Sequence, residues 1–116
     1  MPRVDITVQA LDPTGVFTAE QSGDSANNHV MANNGEVVIV ARNADGAAPH
    51  TVTLVTPGTV GGLAITDQAV SVPASSTRFI GPLDPDVYDQ PSGADTGKVY
   101  VNVDSSQLKL SAYRLR

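Results

Sequence analysis

Two histidines and a run of three aspartates are the residues of this 116-residue chain best suited to chemistry. His29 and His50 each open an apolar run after a polar loop, in "NNHVMA" and "APHTVTLV". Imidazole with a carboxylate could hold a transition metal. Neither histidine belongs to a close pair such as HxH or HxxxH, so both read as polar residues at the end of a sheet. Asp84, Asp86 and Asp89 lie in "FIGPLDPDVYDQPSG", residues 79–93, together with Pro82, Pro85 and Pro91. A hard cation takes several oxygens from one loop. The three aspartates are therefore the candidate cation ligands, although Pro85 interrupts them and the spacing of an EF-hand loop is missing. The competing reading is structural: aspartates cap turns through their own side chains and prolines fix φ.

Other chemistries are poorly served. The chain has no cysteine, which excludes disulfides, thiolate metal sites and the blue copper centre of a cupredoxin. No G-x-S-x-G nucleophile elbow is present. "TPGTVGGLA" lacks the lysine and the following helix of a phosphate loop. Paired carboxylates can hydrolyse glycosides, but such a site wants an aromatic-lined cleft. The chain holds three tyrosines, two phenylalanines and no tryptophan. We therefore expect no enzyme and no cofactor.

These residues have to be positioned by strands. No apolar spacing of helical period runs over three turns, and β-branched residues are abundant. Val4, Ile6 and Val8 alternate with polar neighbours and predict a first strand. "DPTG" at 12–15 predicts a turn, Val16–Thr18 a short strand, and 19–28 a polar surface loop. His29–Ala32 reads as extended. Asn34-Gly35 then has the chemistry of a tight hairpin turn. Glu36–Arg42 is apolar over "VVIVA", which predicts a central strand buried on both faces. Further strands are expected at Thr51–Thr56, Ala64–Val72, Thr77–Ile80, Lys98–Val103 and Leu108–Leu115, with "PGTVGG" at 57–62 as a flexible connection. Phe79 and Ile80 should form the buried end of their strand. The sum is one all-β domain over 1–116, a two-sheet sandwich of about eight strands, jelly-roll-like or immunoglobulin-like in topology.

Charge is uneven. Residues 1–97 hold eleven acids against three bases, a net −8, whereas residues 98–116 hold four bases and one acid, a net +3. The acidic bulk speaks against nucleic acid as a partner, and no apolar stretch is long enough for a membrane span. The N-terminal "MPRVDITVQALDP" lacks the continuous apolar core of a signal peptide. We expect a protein made in the cytoplasm. The basic end reads either as an edge strand with charged guards or as a strand that docks on an acidic surface.

The segments "SANNHVMANNGEVVIVARN", "HTVTLVTPGTVGGLAITDQAVSVPASSTRFIGPLDPDVYDQPSG" and "VYVNVDSSQLKLSAYRL" together resemble small β-rich proteins encoded with the head genes of tailed bacteriophages. The likeness runs over nearly the whole chain and rests on strands and turns, none of them catalytic. It implies a virion structural protein on the outer capsid surface: a decoration, or cement, protein that binds the major capsid protein and associates with itself, a trimer being the natural symmetry. A head–tail adaptor or tail component is the alternative within that class. A cell-surface or carbohydrate-binding module is the alternative outside it. Contacts are expected from two short arms at 1–8 and 113–116 and from the Pro82–Pro91 loop. The candidates are Pro2, Arg3, Pro82, Asp84, Pro85, Tyr88, Pro91, Tyr113, Arg114 and Arg116.

Overall fold

The computed structural model describes residues 3–15, 20–57 and 59–115. Alternation of apolar and polar residues sets most of its strands. In β11 (Lys98–Val103) the buried apolar side chains are Val99, Val101 and Val103, and in β12 (Leu108–Arg114) they are Leu108, Leu110 and Ala112, with Ser111 also buried between them. The two strands fall in different sheets. The first sheet has the order β1 (Val4–Asp5), β4 (His29–Ala32), β11, β6 (His50–Leu54) and β9 (Gln68–Val72). The second has β10 (Thr77–Ile80), β5 (Val37–Asn43), β12 and β2 (Val8–Ala10), with β3 (Gln21–Ser22) also on β12. A separate ribbon joins β7 (Thr59–Val60) to β8 (Leu63–Ala64).

Four antiparallel pairs nest inside one another: β4 with β11, β5 with β10, β6 with β9, and β7 with β8. This nesting is that of a jelly roll and not the ABED/CFG order of an immunoglobulin domain. The departure lies in the last pair. The β7–β8 ribbon stands apart, and β12 takes the free flank of β5.

The core is aliphatic. Ile39 lies opposite Ile80 and Ala112, Val101 opposite His29 and Leu54, and Val52 opposite Val103 and Val70. Each fully buried Val, Leu or Ile contributes about 1.5–3 kcal/mol, so a thin sandwich of such residues holds without aromatic filling. The one fully buried side-chain amide among the described residues, Asn43, is fully used. Its Nδ2 donates to the carbonyls of Ala48 and Val72, and its Oδ1 accepts from the Asp45 N–H.

Several expectations need correction. The described chain has twelve strands, not about eight. The first expected strand is two. After the Ile6 N–H has bonded to the Val30 carbonyl, the chain leaves β4 and pairs in parallel with β12 from Val8 onward. The Val4–Ile6–Val8 alternation is identical for one strand or two, so it could not reveal the switch. Asn34-Gly35 closes no hairpin. It sits in an arch that carries the chain from β4 in one sheet to β5 in the other. Gly35 has φ 86°, and Asn33 and Asn34 accept the backbone N–H groups of Gly35 and Glu36. The hairpin chemistry lies at Gly61 and Gly62, both at positive φ (61° and 81°), as a tight turn between paired strands demands. The expected Ala64–Val72 strand breaks at Asp67, whose carboxylate accepts the Thr56 N–H and its hydroxyl. β5 is central in its sheet but buried on one face only: Val38 and Val40 are half-buried on the other side and Arg42 is exposed. Phe79 points outward, 75% exposed, while Ile80 is buried. The expected strand at 16–18 lies outside the described residues.

Candidate interaction surface

The Pro82–Pro91 loop is a preshaped piece of surface. Gly81 has φ 139°, and a Cβ there would stand 2.6 Å from the Val37 carbonyl oxygen. Only glycine lets the chain turn so close to β5. The Gly81–Pro82 peptide bond is cis. Leu83 follows, 3% exposed, and plugs into the core, with Tyr88 packed half-buried beside it. Between them Asp84 caps the single turn α1 (Pro85–Tyr88), its Oδ1 accepting the Asp86 N–H at 2.9 Å with Pro85 in the first helical position. This is the usual start of a helix.

Asn33 clamps the loop to the β4–β5 arch. Its Nδ2 donates to the Leu83 carbonyl at 3.1 Å and to Asp89 Oδ1 at 2.7 Å. The loop then rejoins β11 through the Asp89–Val99 bridge. The three aspartates thus serve different ends: Asp84 a cap, Asp89 the Asn33 amide, and Asp86 an exposed carboxylate. Among the described residues no three His, Cys, Asp or Glu side chains gather as a metal site.

One concavity borders this loop, and a second is linked to it through Asn33. The first, of about 460 Å³, is lined by Pro57, Thr59, Pro85, Asp86, Asp89 and Pro91, with Gln90 between. The other, of about 600 Å³, opens where the first strand changes sheets. Ile6, Val8 and Val37 form its apolar lining, and Asp5, Lys98 and Arg114 its charged groups. Asn33 and Asn34 also line it, so the arch is shared between the cleft and the loop.

The expected contact residues that are described fall into three places. Pro82, Asp84, Pro85, Tyr88 and Pro91 share one end of the sandwich with Arg114, which pairs with Val37 at the start of β5. Leu115, 64% exposed and bonded through its N–H to the Glu36 carbonyl, is an apolar residue at this same end that sequence patterning did not single out, and Leu63, 75% exposed, lies on the β7–β8 ribbon whose Thr59 lines the smaller concavity. Tyr113 lies on the outer face of the second sheet opposite Gln9, its hydroxyl buried with no hydrogen-bond partner among the described residues. Arg3 is elsewhere. It lies on the outer face of the first sheet, its guanidinium 4.0 Å from the centre of the Tyr100 ring, and donates to Asn102 Oδ1 at 2.7 Å and to the His29 carbonyl at 3.0 Å. The expected N-terminal docking arm is therefore folded onto its own sheet from Arg3 onward. Tyr100 in turn donates to Asp95 at 2.6 Å, and this bond raises its phenol above the ordinary value. Pro2 and Arg116 lie outside the described residues.

The histidines sit at the opposite end. His29 is fully buried. Its Nε2 accepts the Asp24 N–H at 2.9 Å and its Nδ1 faces the Val4 carbonyl at 3.2 Å. A carbonyl only accepts and a backbone N–H only donates, so the ring is the neutral Nδ1–H tautomer. Burial holds its pKa below the usual imidazole value, against the opposing pull of the Val4 carbonyl and Asp24. His50 lies between Asp45 and Asp104, at 3.0 and 3.3 Å. The Ala47 N–H, and next His50, hold Asp45 below the usual carboxylate value. Each ring bonds to a neighbouring loop, His29 to the Asp24 turn and His50 to Asp45. No protein-family model, curated protein or solved structure matches this chain.

Proposed function

We propose that this chain is a non-catalytic docking domain of a virion, a decoration protein that binds the major capsid protein on the outside of a phage head and stabilises contacts between capsomers. The observation that carries the reading is the preorganised loop end. Leu83 and Tyr88 anchor it in the core, Asn33 clamps it and Asp84 caps it, while Asp86, Leu63 and Leu115 stay exposed beside it. A loop ordered before binding loses little entropy on docking. The likeness of its strand-and-turn segments to head-gene products gives the partner class. Many modest contacts on one lattice then act by avidity, and no bond-making chemistry is asked of the domain.

The test is stoichiometry. Purified particles that carry this chain are expected to contain it in proportion to the capsid protein, and detached protein should rebind stripped heads. A copy number equal to one ring at the portal would replace decoration with the adaptor role. Binding to a glycan array, with no binding to heads, would replace both with a surface-binding module.

A further inference from the structure

The loop end of the sandwich carries both halves of a complementary contact. One half is the cleft at the strand switch, with Lys98 and Arg114 at its rim and an apolar lining of Ile6, Val8 and Val37. Neither cation forms an ion pair among the described residues, although the chain as a whole has a net charge of −5. The two come from different strands: Lys98 opens β11 and Arg114 closes β12. Asp5 shares the cleft and leaves one positive charge in excess. The other half is the turn at Asp84–Asp86. It is exposed, stiffened by Pro85 and charged twice over. Through Asn33, which lines the cleft and bonds to Leu83 and Asp89, the two halves are neighbours on one surface.

We infer that this end of the molecule is a self-association surface, on which the acidic Asp84–Asp86 turn of one copy seats in the Lys98–Arg114 cleft of a second copy. A patch that holds a projection beside its complementary socket can pair with itself about a two-fold axis, each turn entering the other molecule's cleft. The same contact repeated head to tail gives a ring where its rotation closes. A cleft of about 600 Å³ is the size of pockets that enclose a drug-sized ligand, which suits the few side chains of a single turn. Opposite charges at the rim steer and register the encounter. The apolar lining, with Leu115 exposed near by, supplies area that charge alone does not. This inference names the surface for self-association within the proposed function. Its test uses the purified chain alone, so its failure leaves the stoichiometry experiment intact.

Sedimentation velocity of the purified chain over a concentration series, in 0.05 M and in 0.5 M sodium chloride, is the test. The expected result is a reversible dimer or small ring that weakens in the higher salt, where screening is stronger. Two charge-reversed proteins follow: Lys98→Glu/Arg114→Glu in the cleft, and Asp84→Asn/Asp86→Lys in the turn, where Asn preserves the cap. Each alone should sediment as a monomer with unchanged far-ultraviolet circular dichroism. In their equimolar mixture the unaltered turn of one protein meets the unaltered cleft of the other, the two charge-reversed halves also meet with opposite signs, and the mixture should associate as a dimer. A wild-type monomer at every concentration overturns the inference. So does an oligomer that both charge-reversed proteins retain, or a mixture that stays monomeric.

Discussion

The buried imidazole of His29 makes the fold sensitive to mild acid, by an amount that the structure bounds. Its Nε2 is occupied as an acceptor by the Asp24 N–H, and no exposed surface is left to the ring. Protonation would place a second N–H against that donor and a charge beside Arg3, with Asp24 the only carboxylate among the groups that shift it. The folded pKa is therefore depressed, whereas the unfolded ring titrates near the ordinary value of about 6.5. As pH falls through that value the unfolded chain takes up a proton that the native chain refuses, so stability falls. The loss continues until the lower, folded pKa is reached. For one proton the slope cannot exceed about 1.4 kcal/mol per pH unit. Between pH 7.5 and 5.5 the greatest loss is thus about 1.4 kcal/mol, reached if the native ring stays neutral throughout. That corresponds to roughly 6 °C in Tm for a domain of this size. The assay is urea denaturation across this pH range for the wild type and for His29→Gln, whose amide oxygen can still accept from Asp24 but does not titrate. His50, Asp45 and the other acids are common to both proteins and cancel in the difference. A wild-type loss no larger than that of His29→Gln would refute the reasoning. So would an NMR titration that places His29 above the ordinary imidazole value.

Three further predictions concern the loop. Leu83→Ala empties a core site at the root of the Pro82–Pro91 loop and should cost about 2–4 kcal/mol, read from the denaturation midpoint; a change below about 1 kcal/mol would mean that Tyr88 alone holds the loop. Gly81→Ala puts a Cβ against the Val37 carbonyl at a φ that L residues resist, and should destabilise by about 1–3 kcal/mol or more; near-neutrality would show that the loop can shift away from β5. The triple change Asp84→Asn/Asp86→Asn/Asp89→Asn keeps the cap and the Asn33 acceptor, and should cost less than about 1 kcal/mol. Calcium should leave the wild-type melting temperature where it is, and a calcium-dependent rise lost in the triple variant would establish a cation site in the loop.

Much of the architecture follows from local pattern. Period-two alternation in 98–103 and 108–114 fixes which side chains meet in the core, because a strand sends successive residues to opposite faces. The turn chemistry of Asp12–Gly15 is equally legible: Asp12 accepts the Thr14 N–H and hydroxyl. Asp84 as a cap belongs with these, since a carboxylate followed by proline starts a helical turn through bonds two residues away. The failures share a cause. Asn34-Gly35 permits a tight turn of the backbone, but whether the flanking strands pair or part is settled by what else each can pair with. Here β4 goes to β11 and β5 to β10 and β12. Phe79 and Ile80 are both apolar, and only the register of β10 on β5, with Ile80 opposite Ile39 and Phe79 opposite Val40, decides that Ile80 meets the core while Phe79 faces solvent.

The candidate surface divides in the same way. From sequence alone came an all-β chain without thiols, poor in aromatics, with acids gathered in a proline-rich stretch and bases gathered near its end. These are properties of composition and of neighbours along the chain. Tertiary structure decided that Leu83, not only Tyr88, roots the loop, that Arg3 is spent on Tyr100 and Asn102, and that Lys98 and Arg114 meet at one cleft beside the Asp84–Asp86 turn. Contacts of this kind join residues far apart in the chain. Their geometry is set by strand order and by the switch of the first strand between sheets, and neither leaves a mark on the spacing of residues along the sequence.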